Sequence, residues 1–272
     1  MLYRETPPHP RLAPYVRTCW TLAGTAAELG PQPVLPDGCT ELIVHRGRPF
    51  WRHDAHGSAD RQATRLFVGQ MRAPVVIAPD GDADIVAIRF EPFGAFALIG
   101  THQTTPADQI IEADALDERW LTRAIQHAES ADTANIALRM LQEALLARLD
   151  RRRAPIVDTR VITATRALMR THGAMTVDAI ARHAATSARH LERLFQEQIG
   201  TSPKRFARVL RFQSAANAIA AEHAHAPAFA DISASAGYFD QAHMIREFVT
   251  LAGTTPGEFR RSLGALTKAM LS

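Results

Sequence analysis

The chain has 272 residues, 46% of them hydrophobic and 22% charged, with a formal net charge of +3. That composition supplies enough apolar side chain for two ordinary cores and excludes a disordered or low-complexity protein. Two cysteines, Cys19 and Cys39, exclude a disulfide framework, and no apolar run approaches the ~20 residues that cross a bilayer.

The first residues carry Arg4, Glu5 and early prolines with no apolar stretch, which predicts no secretory signal, a cytoplasmic location and no membrane partner. Pro7, Pro8, Pro10 and Pro14 favour extended backbone. Tyr15–Leu22 reads as a strand with Val16, Thr18, Trp20 and Leu22 on one face at period two. Pro36-Asp37-Gly38 is a turn, and Thr40–His45 a short strand. Residues 46–65 are polar and read as a long loop or irregular hairpins holding His53 and His56. Strands are expected over Leu66–Met71, Pro74–Ala78 and Ile85–Phe90, the last after the turn Pro79–Asp82. Short strands at close spacing favour a small β-barrel or sandwich.

Phe93–Ile99 predicts a helical turn ending at Gly100, and Leu116, Trp120, Leu121 and Ile125 have helical spacing. Over Thr133–Arg153, Leu138, Leu141, Leu145 and Leu149 form a helical stripe. The stripe suits packing on its own domain or a homodimer contact, and the spacing leaves both open. Arg151-Arg152-Arg153-Ala154-Pro155 reads as a solvated linker between a domain of residues 1–153 and one of residues 156–265. Charge divides at the same place. Residues 156–272 carry 14 Lys and Arg against 9 Asp and Glu, whereas residues 1–155 carry 17 against 19. A basic half beside a mildly acidic half fits contact with nucleic acid through the basic one.

The basic half contains one helical unit twice. Ile180–Ala184, a turn, and Ser187–Phe195 are followed by Gly200-Thr201-Ser202-Pro203. Ile232–Ala236, a turn, and Asp240–Phe248 are followed by Gly253-Thr254-Thr255-Pro256. His190, Arg193, Phe195, Pro203 and Phe206 match His243, Arg246, Phe248, Pro256 and Phe259. A helix, a tight turn and a second helix with a polar N-cap is the shape of a helix-turn-helix unit, and two copies make a duplicated module. Helices are expected over Thr159–Arg170, closed by Gly173, from the Thr176 cap through Ala184, and from Pro203 to about Glu222, with a loop over Ala224–Ala230.

Each second helix offers an apolar face to its own unit: Leu191, Leu194 and Phe195 in one copy, Met244, Ile245 and Phe248 in the other. Arg189, Glu192 and Arg193, and Gln241, Ala242 and Arg246, are left for base edges in the major groove of double-stranded DNA. Phosphate contacts are expected from Lys204, Arg205, Arg208, Arg260 and Arg261, near helices that begin at Pro203 and Pro256, and from Ser187 at a reading-helix cap. His190 and His243 suit packing, N-terminal hydrogen bonding or phosphate contact.

Gly237-Tyr238-Phe239-Asp240-Gln241-Ala242-His243-Met244-Ile245-Arg246-Glu247-Phe248, with Gly253-Thr254-Thr255-Pro256-Gly257-Glu258-Phe259-Arg260, resembles the signature of the AraC/XylS family of bacterial transcription regulators. The resemblance spans roughly residues 160–262 and implies a double helix-turn-helix domain bridged by the helix from Pro203. It also implies activation of transcription through contact with RNA polymerase. Leu35–Ile43 and Ala87–Ala95 look like a subset of these regulators whose N-terminal domain is cupin-like and sensory, which implies a small-molecule effector without naming one. The fold expected is α+β: a β-rich, cupin-like N-terminal barrel with a helical end, then an all-α domain.

An enzyme would need a metal set or an activated nucleophile. His53 and His56 fall two ligands short of a cupin set, so no metal, no cofactor and no catalytic residue is expected. Cys39 is the one nucleophile candidate, and a buried structural cysteine is the simpler reading. A cupin-type enzyme or DNA-modifying protein carrying a reading domain is the alternative.

Overall fold

The computed structural model describes residues 1–53, 58–104, 106–150, 155–221, 227–264 and 267. The expectations placed on His56, Arg151–Arg153, Glu222 and Ala224 lie outside them. The N-terminal half runs β1 (Leu2–Thr6), β2 (Val16–Gly24), α1 (Ala26–Leu29), β3 (Gln32–Val34), β4 (Glu41–His45), β5 (Trp51–His53), β6 (Ala59–Arg61), β7 (Arg65–Val68), β8 (Val75–Ala78) and β9 (Ala83–Phe90). Then come α2 (Gly94–Ile99), β10 (Ile110–Glu112), a 3-10 turn (Ala113–Leu116), α3 (Arg119–Glu129) and α4 (Ala134–Asp150). One antiparallel sheet has the order β1-β2-β9-β4-β7-β10 and a second the order β3-β8-β5-β6.

Strand alternation divides the larger sheet between two environments. Leu42 and Val44 of β4 and Val86, Ile88 and Phe90 of β9 pack against Leu121, Ile125, Leu138, Leu141 and Leu145 of α3 and α4. The opposite face, with Trp20, Leu22, Ile85 and Ala87, turns toward the smaller sheet. The α4 stripe therefore packs on its own domain: Leu138, Leu141 and Leu145 are buried, and Leu149 lies against the same cluster. A fully buried leucine contributes roughly 1.5–3 kcal/mol, which a homodimer contact would have to surrender.

Val16 departs from the expected face. It packs with Cys19 on the helix side, while Trp20 and Leu22 face the other sheet. The pairing of β2 with β9 slips between Val16 and Thr18, and such a bulge puts residues on either side of it on opposite faces. Residues 46–65 hold the hairpin β5–β6, whose second strand is wholly exposed and so carries no hydrophobic alternation to read.

The C-terminal half is helical: α5 (Thr159–Arg170), α6 (Val177–His183), α7 (Ala188–Gln198), α8 (Pro203–Ala220), α9 (Phe229–Ser235), α10 (Gln241–Ala252) and α11 (Pro256–Ser262). Two cores sit side by side on α8. Phe206 and Ala207 join Val161, Leu168, Ile180, Leu191 and Phe195 in the first. Val209, Phe212, Ala216 and Ile219 join Ile232, Met244, Phe248 and Phe259 in the second. The first core also takes in Phe93, Phe96 and Ala97 from around α2, so the N-terminal half helps to close it.

Candidate nucleic-acid interface and ligand cavity

The two helix-turn-helix units are built by the same local bonds. In the first turn the Ala185 N–H donates to Arg182 O and the Thr186 N–H to Ala181 O. In the second the Gly237 N–H donates to Ala234 O and the Tyr238 N–H to Ser233 O. Both turns need a left-handed residue, supplied by Ala185 at φ 50° and Gly237 at φ 77°. After that the copies differ by one residue. Thr186 is followed at once by the cap Ser187, whereas Phe239 stands between Tyr238 and the cap Asp240. The extra Phe239 is 92% exposed.

Ser187 Oγ accepts from the His190 N–H at 3.2 Å, and Asp240 Oδ1 from the His243 N–H at 2.6 Å. These caps satisfy orphan donors at the starts of α7 and α10 and hold each helix in one orientation. Leu191, Leu194 and Phe195 are buried beneath α7, and Arg189, Glu192 and Arg193 are exposed. Met244 and Phe248 are buried beneath α10, and Gln241, Ala242 and Arg246 are exposed. Ile245, expected inward, is half-buried, and Val249 one turn on is exposed. All six expected base-reading residues thus lie on the solvent faces of the two capped helices.

The expected phosphate-binding residues divide into two groups. Ser187, Lys204 and Arg261 are exposed. Arg205, half-buried, begins α8, where its N–H donates to the Ser202 cap. Arg208 Nε donates to Glu247 Oε2 at 2.6 Å, tying α8 to α10. Arg260 donates to Pro227 O at 3.0 Å and its guanidinium lies 4.3 Å from the Phe229 ring centre. His243 packs edge-on against Tyr238, and His190 Nδ1 lies 3.5 Å from Arg193. Arg211, which carried no expectation, donates to Gly173 O at 2.6 Å and lies over the Tyr238 ring, joining the first unit to the turn of the second.

The second feature is a cavity between the two sheets, with about 100 Å³ of open space. Its apolar wall includes Tyr3, Trp20, Ile43, Phe50, Val75 and Ile85. Glu41, Ile43 and His45 alternate onto this face of β4. At one end Glu41 Oε1 accepts from Arg89 Nε at 2.6 Å and from Trp20 Nε1 at 3.2 Å. Arg89 also faces Asp37 at 3.4 Å and Glu5 at 3.7 Å. Burial pushes the Glu41 carboxyl upward, and the Arg89 guanidinium pulls it back. At the other end His45 is 2% exposed, with neither ring nitrogen hydrogen-bonded among the described residues. Burial lowers its pKa to about 4, with Gln62 beside it acting the other way, so the ring is neutral near pH 7.

The cavity abuts α8. Gln213 lines it and donates Nε2 to Pro36 O at 2.5 Å. Gly38, at φ 78°, lies so close to Phe206 that a Cβ there would stand 2.9 Å from the ring. Cys39 lines the cavity too. Burial pushes its thiol well above the ordinary value, which disfavours the thiolate a nucleophile needs. Among the described residues no group of three or more His, Cys, Asp or Glu could hold a metal, and no helix is long and apolar enough to cross a membrane.

Two family models match the chain. Residues 4–112 match a family described as Domain of unknown function (DUF6597), and residues 180–262 match one described as Helix-turn-helix domain. The HTH-type transcriptional regulator Rv1931c of Mycobacterium tuberculosis is 30% identical over 93 residues, which is 34% of this chain and 35% of that protein. The chain thus spans about a third of that relative's length. An AraC-type regulator from Chromobacterium violaceum is 23% identical over 38% of this chain and 90% of its own, with a TM-score of 0.35. ToxT of Vibrio cholerae, solved with (E)-4-(8-methylnaphthalen-1-yl)but-3-enoic acid bound, is 8% identical over 93% of this chain and 99% of its own, with a TM-score of 0.50. That likeness concerns the fold: a β-rich N-terminal half followed by a helical C-terminal half. The duplicated unit and its two capped helices coincide with the matched stretch, so residues 180–262 form a helix-turn-helix domain similar to those of transcriptional regulators.

Proposed function

We propose that this chain is a sequence-specific, effector-responsive transcription regulator that reads two successive major grooves with α7 and α10. In this reading residues 156–265 are the DNA-binding domain and residues 1–153 the sensory domain. The observation that carries it is the matched pair of N-capped helices, each anchored by buried apolar residues and each presenting a varied polar face. Arg189, Arg193 and Arg246 suit guanine, Gln241 suits adenine, Ala242 suits the thymine methyl and Glu192 accepts from cytosine. The exposed Ser187, Lys204 and Arg261, with Arg205, supply phosphate contacts that set register. His190 and His243, both half-buried, add to that grip at the helix starts. Arg208 and Arg260 reach phosphate after giving up the internal partners they hold in the free protein.

Effector response is supported by the position of the cavity. A ligand there meets Gln213 directly and the 36–38 turn against which Phe206 packs, and both residues belong to the helix that carries the two cores. RNA polymerase is the partner proposed for activation, by resemblance to the family. Footprinting of the full chain on random genomic fragments tests the reading. One bipartite site about two helical turns long is expected. Uniform coverage at low salt that vanishes at high salt would overturn it in favour of a non-specific DNA-coating protein.

A further inference from the structure

We infer that the cavity between the sheets takes a small amine: an ammonium group on an apolar body of about one aromatic ring, with a second polar group at the far end. This rests on the effector-sensing part of the proposed function and gives that site a ligand class.

Charge decides the head group. Arg89 is the one Lys or Arg lining the cavity among the described residues, and it is already faced by Glu41, Asp37 and Glu5. Both hydrogen bonds that Glu41 receives go to Oε1, and no described residue donates to Oε2. The other lining carboxylate, Asp37, leans on the same guanidinium. A carboxylate ligand would enter beside buried Glu41 and half-buried Asp37, and among the described residues the two nearby guanidiniums, Arg89 and Arg17, are already faced by carboxylates. An ammonium would find an open acceptor on Glu41 and add positive charge where Glu41, Asp37, Glu5 and Glu91 face the guanidiniums of Arg89 and Arg17.

The walls point the same way. Tyr3 and Trp20 stand 5.8 Å apart and border the Glu41 end through the Trp20 Nε1 bond. Aromatic faces next to carboxylates attract ammonium groups. The open space, about 100 Å³, is of the order of the cavity that holds one benzene.

The far end is set by the strand. Glu41 and His45 lie four residues apart on one face of β4, about 13 Å between Cα atoms by strand rise. His45 is buried and neutral, with Gln62 beside its ring and neither ring nitrogen in a well-formed hydrogen bond among the described residues. Neutral imidazole offers one donor and one acceptor, so it fits a hydroxyl or carbonyl on the ligand.

Calorimetric titration of the full chain with tyramine and with 4-hydroxyphenylacetate tests this, because the two share a ring and hydroxyl and differ in the charged group. Tyramine is expected to bind at least tenfold more tightly than the acid. Glu41→Gln is expected to weaken tyramine at least tenfold, and Asp37→Asn, which leaves the Arg89–Glu41 pair in place, about threefold. Equal or tighter binding of the acid, no binding of either compound, or tyramine binding unchanged in a folded Glu41→Gln chain would each overturn the assignment. If Glu41→Gln does not fold, unchanged binding in Asp37→Asn overturns it. Footprinting of the same preparation keeps the two readings apart. A bipartite footprint without tyramine binding removes the amine alone, and tyramine binding without any footprint removes the regulator and leaves the amine site.

Discussion

Arg208 of α8 and Glu247 of α10 form one ion pair, 2.6 Å from Nε to Oε2, across the junction between the helix that carries both cores and the second helix of the second unit. The Glu247 side chain is 14% exposed, so the pair is largely shielded from water. By sequence Arg208 stands among the phosphate contacts. In the folded chain its charge orients α10.

Two substitutions separate those roles. Arg208→Ala strands a shielded carboxylate and is expected to lower unfolding stability by about 1–3 kcal/mol in urea titration. Glu247→Gln releases the guanidinium and is expected to steepen the salt dependence of DNA affinity by up to about one unit of slope. A shallower slope in Glu247→Gln would show that Arg208 needs Glu247 to reach phosphate.

Arg246 and Lys204 are both exposed, yet they differ in their expected effect on DNA. Arg246→Ala should cost about 1–3 kcal/mol on the best site and relax preference at one base pair. Lys204→Ala should weaken all sequences evenly and reduce the salt slope by about 1. Competition among randomised operators at two salt concentrations distinguishes these outcomes.

Gly38 couples the cavity loop to α8 by having no side chain. Gly38→Ala adds a left-handed penalty of about 1–2 kcal/mol and drives a methyl against Phe206. A lower urea midpoint for the full chain is expected. An unchanged midpoint would mean that the 36–38 turn is not held against α8.

His45 makes stability depend on acidity. Its folded-state pKa, about 4, lies below the ordinary value of roughly 6.5. The unfolded chain therefore binds the proton first as pH falls. The stability contributed by the neutral ring is present above about pH 6.5 and is lost progressively down to pH 4. The loss is on the order of 3 kcal/mol. His45→Leu should flatten this part of the profile, measured as urea midpoint between pH 7 and 4. Identical profiles for both chains would refute it.

The helical half was legible because its constraints are local. Ser187, Asp240, Pro203 and Pro256 mark helix starts by hydrogen-bonding rules that act within one turn, and Phe195, Phe206, Phe248 and Phe259 repeat at core positions. The six base-reading candidates follow from those faces. The repeat also contained Phe239, whose insertion shows as the change in spacing from Ile180–Ile232 to His190–His243.

The sequence by itself determined the duplicated unit, the caps, the polar faces and the existence of a β-rich half. Tertiary structure alone decided the rest. The partnership of Arg208 with Glu247, 39 residues apart, depends on how α8 crosses α10. The bulge after Val16 depends on the β2–β9 pairing, since a strand read alone has no register. The cavity joins Tyr3, Glu41, His45, Arg89 and Gln213 from four separate stretches of chain. Strand alternation said which residues of β4 share a face, but only the second sheet made that face the wall of a cavity.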